Sequence, residues 1–222
     1  MALAACRFGA PPGATEEGRA ISDLYRLFVY FALGVGGLTY ALILWAVVRY
    51  RRRSEALPRQ TRYHVPAEVA YTVIPVLLVL ALFAFTVRTD RRVTAVDSGS
   101  TVALRVDAFQ WQWRFTYPEL GVEVVGTPDR PATVVLPVGE PVRVDLHALD
   151  VIHAFYVPEF LFKRDAIPGV TNRFEFTIPR PGRFRGACAE FCGLDHDRMV
   201  FFIQAVSPQE FERWAAAQRG AS

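Results

Sequence analysis

The chain has 222 residues, 52% of them hydrophobic, and 25 Lys and Arg against 22 Asp and Glu give a net charge of +3. A charge so close to balance, carried largely by arginines beside apolar segments, gives a nucleic-acid-binding reading little support. Three cysteines, an odd number, exclude a simple disulfide scaffold.

Near the start, Leu3-Ala4-Ala5-Cys6 resembles the lipobox of bacterial lipoproteins, in which the cysteine becomes lipidated. A signal peptide needs a charged region and a longer apolar stretch before that point. Cys6 is therefore a lipidation site if the natural start lies further upstream, and a chance match otherwise. Ala10 to Gly18 reads as a flexible linker.

Leu27 to Val48 holds 22 residues without a charge, roughly 33 Å as a helix and enough to cross a hydrocarbon core. Val69 to Val87 is a second uncharged run of 19 residues, roughly 28 Å long. Pro75 inside it predicts a kink. Buried helices of a soluble protein are the alternative, but uncharged runs of this length fit spans better. Gly34, Gly36 and Gly37 would let another helix approach the first span, or would simply face lipid. Between the spans lie Arg49, Arg51, Arg52, Arg53, Arg59 and Arg62, with only Glu55 before Glu68. Short arginine-rich loops stay cytoplasmic. Arg88, Arg91 and Arg92 after the second span weaken that bias without reversing it. The N-terminus and everything after Val87 then lie on the extracytoplasmic side.

From Val93 onward short β-rich segments alternate with Pro and Gly. Thr101 to Phe109, Val134 to Leu136, Arg143 to Leu149, Arg173 to Ile178 and Val200 to Val206 are the predicted strands. Their spacing suggests a sandwich or Greek-key barrel. Ser207-Pro208-Gln209-Glu210 is a capping box that starts a helix to about Gln218. Three regions follow: 1–20, an N-terminal segment; 21–92, a two-helix transmembrane hairpin; and 93–222, an all-β domain with a short C-terminal helix.

The chemistry concentrates in Cys188-Ala189-Glu190-Phe191-Cys192-Gly193-Leu194-Asp195-His196-Asp197-Arg198-Met199. Two thiols, an imidazole and a thioether within twelve residues suit copper, and the thioether points away from zinc. A second imidazole is available at His153. A Cys188–Cys192 disulfide is a rival in an extracytoplasmic domain, and a Cys2His2 zinc site is another. A mononuclear blue-copper site needs only one cysteine, whereas two coppers bridged by both thiolates use every donor.

The pattern Cys-x-Glu-x-Cys-Gly-x-x-His-x-x-Met resembles the CuA-binding motif of cytochrome c oxidase subunit II. The likeness runs from about Ile21 and includes Gln110-Trp111-Gln112-Trp113, Asp-Val-Ile-His, Val157-Pro158, Lys163 and Ile167-Pro168-Gly169. Pro158-Glu159-Phe160-Leu161-Phe162-Lys163-Arg164-Asp165 looks like the actinobacterial members. The resemblance implies a cupredoxin barrel after two transmembrane helices, in the plasma membrane of a bacterium. It implies a dinuclear copper centre held by His153, Cys188, Cys192, His196, Met199 and the backbone carbonyl of Glu190. By the same likeness the Glu190 carboxylate reaches a magnesium shared with subunit I, and Trp111 is where electrons arrive from cytochrome c. Glu68 matches the glutamate at the mouth of a proton pathway, or is merely a helix-end carboxylate. Implied partners are subunit I with its haem and CuB, subunit III and a soluble or membrane-bound cytochrome c.

Some features depart from that pattern. The residue between the two tryptophans is often aromatic in the family and is Gln112 here. No dense acidic cluster for docking cytochrome c shows in the sequence, although Asp107, Glu119, Glu123, Asp145 and Asp150 are candidates. No Cys-x-x-Cys-His follows the motif, so no haem c domain is expected. A quinol oxidase subunit would lack the copper ligands, and nitrous oxide reductase carries a large extra domain. A copper chaperone or sensor needs neither two spans nor both tryptophans. A CuA-bearing subunit of a nitric oxide reductase remains the alternative, since its partner subunit is not legible here.

Overall fold

The computed structural model describes residues 12–53, 55, 57, 60–96, 99 and 102–219. Cys6 and Arg59 lie outside them. The described residues up to Ser22 and from Arg91 onward form one compact body, and Asp23–Asp90 form a second.

Two helices dominate the second body, α1 (Glu16–Arg49) and α2 (Val65–Thr94). Both are long and apolar enough to cross a membrane, and no residue of their most apolar windows is buried. Exposed leucines, valines and aromatics along a helix are stable only in a non-aqueous solvent, so these faces call for lipid or other apolar helices. α2 runs through Pro75 as one continuous helix. A Cβ added at Gly34, Gly36 or Gly37 would meet nothing within 4 Å.

α1 begins earlier than the linker reading of Ala10 to Gly18 allows. Thr15 caps it, its Oγ1 accepting the Gly18 N–H at 2.9 Å, and Glu16 and Glu17 favour the positive helix start. This first turn belongs to the β-domain's body. Ala14 N–H donates to Glu159 O at 2.7 Å, and the Glu17 carboxylate accepts the Thr177 N–H at 3.0 Å. Burial raises the Glu17 pKa above the ordinary carboxylate value.

The first body is a sandwich of two five-stranded sheets. The strands are β1 (Val102–Phe109), β2 (Gln112–Tyr117), β3 (Val122–Val125), β4 (Ala132–Pro137), β5 (Pro141–Ala148), β6 (His153–Val157), β7 (Phe162–Ala166), β8 (Asn172–Thr177), β9 (Gly182–Cys188) and β10 (Val200–Val206). One sheet has the order β3-β2-β1-β5-β8, the other β4-β10-β9-β6-β7. Alternation along β2, β5 and β10 turns every second side chain inward. Trp113, Phe115, Phe155, Phe174 and Phe201 meet there, with the Phe155 and Phe201 ring centroids 4.8 Å apart. Each such buried ring contributes about 1.5–3 kcal/mol by leaving water. The Tyr117 hydroxyl joins the sheets, donating to Val135 O at 2.8 Å and accepting from Val135 N at 3.0 Å. Closing the domain, α3 (Pro208–Arg219) starts at the expected box, with Ser207 N donating to Glu210 Oε2 at 3.0 Å and Glu210 N to Ser207 Oγ at 3.3 Å.

Candidate metal centre

Two loops at one end of the second sheet carry the soft donors. β6 and β9 are antiparallel neighbours, with Phe155 opposite Cys188. That register brings the start of β6, at His153, to the end of β9, at Cys188. The following loop folds back as a short 3₁₀ turn over His196–Arg198 and enters β10 at Val200. Cys188 N–H donates to Met199 O at 2.9 Å, closing the loop at its neck. The Trp113 indole donates to the same Met199 carbonyl at 3.3 Å and ties the loop to the core.

The donors gather around the two sulfurs. Cys188 Sγ and Cys192 Sγ are 3.8 Å apart. Around Cys188 Sγ stand His153 Nδ1 at 3.9 Å and Glu190 O at 3.3 Å. Around Cys192 Sγ stand His196 Nδ1 at 3.5 Å and Met199 Sδ at 3.9 Å. Each sulfur thus has the other sulfur, one imidazole and one weak donor beside it. The sulfur separation is far beyond a disulfide bond of about 2.05 Å, and both thiols are free. His153, Cys188 and Cys192 present ligand atoms within 4.8 Å of one another, and all three are buried.

The environment prepares the donors. The Asp150 carboxylate accepts His153 Nε2–H at 2.8 Å, which leaves Nδ1 facing Cys188. It also accepts the N–H groups of Val151 at 2.6 Å and Gln110 at 2.7 Å. Burial acts to raise the Asp150 pKa, but these hydrogen bonds outweigh it and hold the carboxyl below its ordinary value. Burial would likewise lower His153, yet Cys188 and Asp150 prevail and raise it. The Cys188 thiol, despite burial, is brought down to about 6, first by His153 and then by backbone groups. Burial and the neighbouring Cys188 charge push the Cys192 thiol up to about 12. Cys188 is thus the thiol that gives up its proton more readily, and a bound cation would displace protons from both.

Glu190 points its carboxylate away from the sulfurs, to the Lys163 ammonium, which also lies 3.3 Å from Asp165 Oδ1. Trp111 reaches the loop from the β1–β2 turn, its Nε1–H donating to Cys192 O at 3.2 Å. Gly193, at φ +120°, lies under that indole, where a Cβ would sit 3.1 Å from the ring. Glu68 lies far from these groups in the chain and caps α2, its Oε1 accepting the His64 N–H at 3.0 Å. Four of the five candidate docking acids are occupied. Asp107 is buried against Arg105 at 3.1 Å, Glu123 pairs with Arg114 at 3.5 Å, Asp145 pairs with Arg173, and Asp150 serves His153. The roles of Gln110 and Gly193 are not legible in the sequence, where Asp150 reads as a candidate docking acid and as part of Asp-Val-Ile-His. The i, i+3 spacing of Asp150 and His153 was the available signal.

The family model described as cytochrome C oxidase subunit II, periplasmic domain, matches residues 127–206. The probable cytochrome c oxidase subunit 2 of Streptomyces avermitilis is 38% identical over 247 residues, which cover 93% of this chain and 77% of that protein. The cytochrome c oxidase subunit 2 of Corynebacterium diphtheriae is 31% identical, over 93% of this chain and 75% of its own. Among solved structures, the periplasmic domain of subunit II of cytochrome oxidase of Bradyrhizobium japonicum is 32% identical with a TM-score of 0.52, covering 57% of this chain and 99% of that domain. That likeness makes the sandwich cupredoxin-like.

Proposed function

Because the chain belongs to the cytochrome c oxidase subunit II family, we propose that its extracytoplasmic β-domain holds a dinuclear CuA centre and relays electrons from cytochrome c to haem in subunit I. The observation that supports this reading most is the gathering of six donors around one pair of sulfurs. His153, His196, Met199 and the Glu190 carbonyl would hold the metal pair together with Cys188 and Cys192, two imidazoles and two weak ligands beside two thiols. A single metal would leave part of that set idle. Two thiolates, two imidazoles and a thioether fit copper rather than zinc or magnesium.

When bound, such a centre supplies reversible uptake and release of one electron. The protein's part is to hold the donors still and dry. His153 is 0% exposed and Met199 1%, which leaves no room for solvent to rearrange around them. Asp150 fixes the His153 tautomer, and the Trp113 and Cys188 hydrogen bonds fix Met199. Trp111, bonded to the cysteine loop, is the point at which electrons come in. The ligand loops expose Val151, Ile152, Phe191 and Leu194, an apolar rim suited to a protein partner. Subunits I and III are that partner assembly, and subunit I carries the oxygen chemistry and proton pumping.

Glu190 is the residue of this chain that would reach an interfacial magnesium, with Asp165 beside the same ammonium. Magnesium takes one or two protein carboxylates, so Lys163 would have to release Glu190 and subunit I would complete the site. Glu68 would stand at a proton-path mouth on the cytoplasmic side, and Cys6 would carry lipid in a bacterial plasma membrane. The test is electron uptake by an assembled oxidase containing this chain. Reduced cytochrome c should pass electrons to the wild-type complex and fall to background with Cys192→Ser. An unchanged rate in that variant would refute the relay.

A further inference from the structure

Gln110 joins the two ligand loops although it offers no ligand. It stands in the turn between β1 and β2. Its backbone N–H donates to Asp150 Oδ2 at 2.7 Å, and Asp150 Oδ1 accepts the His153 Nε2–H at 2.8 Å. Its side-chain Nε2 donates to Cys192 O at 2.7 Å, the carbonyl that also accepts Trp111 Nε1–H at 3.2 Å. One residue thus holds the histidine loop through its backbone and the cysteine loop through its side chain. The fit is close: a Cβ on Gly193 would come within 3.2 Å of that amide nitrogen.

The side-chain arm is not needed to form the turn. The β1–β2 ladder already pairs Phe109 with Gln112, and the Asp150 arm uses only backbone. Replacing the amide would therefore release the cysteine loop alone. The amide also carries an electrical consequence. Its N–H dipole directs its positive end at the carbonyl of a thiolate-bearing residue, and oriented dipoles of this kind stabilise added negative charge.

Resting on the copper reading above, we propose that Gln110 is a positioning residue that clamps the histidine and cysteine loops into one cage and favours the reduced state of the metal pair. Neighbours that orient ligands in this way are worth about 10–100-fold in metal affinity. The test compares the assembled oxidase in wild-type form with Gln110→Met, which keeps the side-chain length but removes the donor, and with Gln110→Ala. Four readouts are taken: copper loss to a copper(I) chelator, the one-electron reduction potential, copper hyperfine couplings by EPR, and the thermal transition of the metal-free protein.

Both variants should lose copper about tenfold faster. The one-electron equilibrium should move about threefold toward the oxidised form, or about 28 mV at 59 mV per tenfold. The EPR couplings should change, because the loop carrying Cys192 loses a restraint. The metal-free thermal transition should stay in place, since the turn is held by backbone. Wild-type copper retention, potential and couplings in Gln110→Met would overturn the clamp. A wild-type complex without a dinuclear copper signal would instead overturn the copper reading, and the clamp with it.

Discussion

Replacing Asp150 by alanine is the sharpest perturbation of the site that leaves every donor in place. Its carboxylate accepts three hydrogen bonds, from His153 Nε2 at 2.8 Å, Gln110 N at 2.7 Å and Val151 N at 2.6 Å. The two backbone donors lie in a partly open turn, and water can replace their acceptor at small cost. His153 cannot be rescued in that way, because its ring is 0% exposed. Leaving its Nε2–H buried without a partner costs about 1–3 kcal/mol. With a fraction of a kcal/mol for each turn donor, the loss is about 2–4 kcal/mol, against a typical domain stability of about 5–15 kcal/mol. Denaturant unfolding of the metal-free full chain in detergent, followed by tryptophan fluorescence, measures it. Copper affinity should fall about 10–100-fold in the same variant, because the imidazole loses its orientation. Asp150→Asn, which keeps one acceptor oxygen, should lie between. A stability change under about 0.5 kcal/mol for Asp150→Ala, with copper affinity unchanged, would refute the reasoning.

Other outcomes follow from the same geometry. Gly186→Ala places a Cβ 2.0 Å from Phe201 Cζ in the centre of the core, so it should destabilise the β-domain by about 3 kcal/mol; a thermal melt matching wild type would contradict that packing. Glu17→Gln tests the docked first turn of α1. The folded pKa of Glu17 lies above its ordinary value, so the folded state prefers the proton. Its favourable contribution is complete at acid pH and declines as pH rises through the folded value. The variant should match wild type near pH 4 and equal or exceed it at pH 7, and a larger loss at pH 7 than at pH 4 in unfolding curves would refute the assignment. Donor oxidation by the assembled complex should vary weakly with ionic strength, because Asp107, Glu123, Asp145 and Asp150 are already occupied. A steep salt dependence would reveal an acidic docking face elsewhere.

Much of the site was legible because its chemistry is local. Cys188, Glu190, Cys192, His196 and Met199 fall in one loop, and soft donors at that density have few other uses. His153 was legible beside them, but not the mechanism that aims it. Asp150 reads as a surface acid until the turn brings it under the imidazole. Gln110 was hidden for a different reason, because its acceptor, Cys192 O, lies 82 positions away. In the fold, β10 matched its expected bounds since Val200–Val206 is a nearly unbroken run of β-branched and aromatic residues. β9 was missed because the inward position Gly186 carries no side chain, its space being taken by the Phe201 ring. β7, an edge strand reading Phe-Lys-Arg-Asp-Ala, has no apolar alternation to find. The start of α1 reads as linker because Pro and Gly surround it, although Thr15, Glu16 and Glu17 spell a capped, acidic first turn.

Electron paramagnetic resonance of the copper-loaded full chain, with copper counted per protein, tests the central claim most directly. Two coppers per chain sharing one unpaired electron equally, with hyperfine structure from both nuclei, is the predicted result. One copper with the spectrum of a mononuclear blue site, or a Cys188–Cys192 disulfide that takes up no metal, would contradict it.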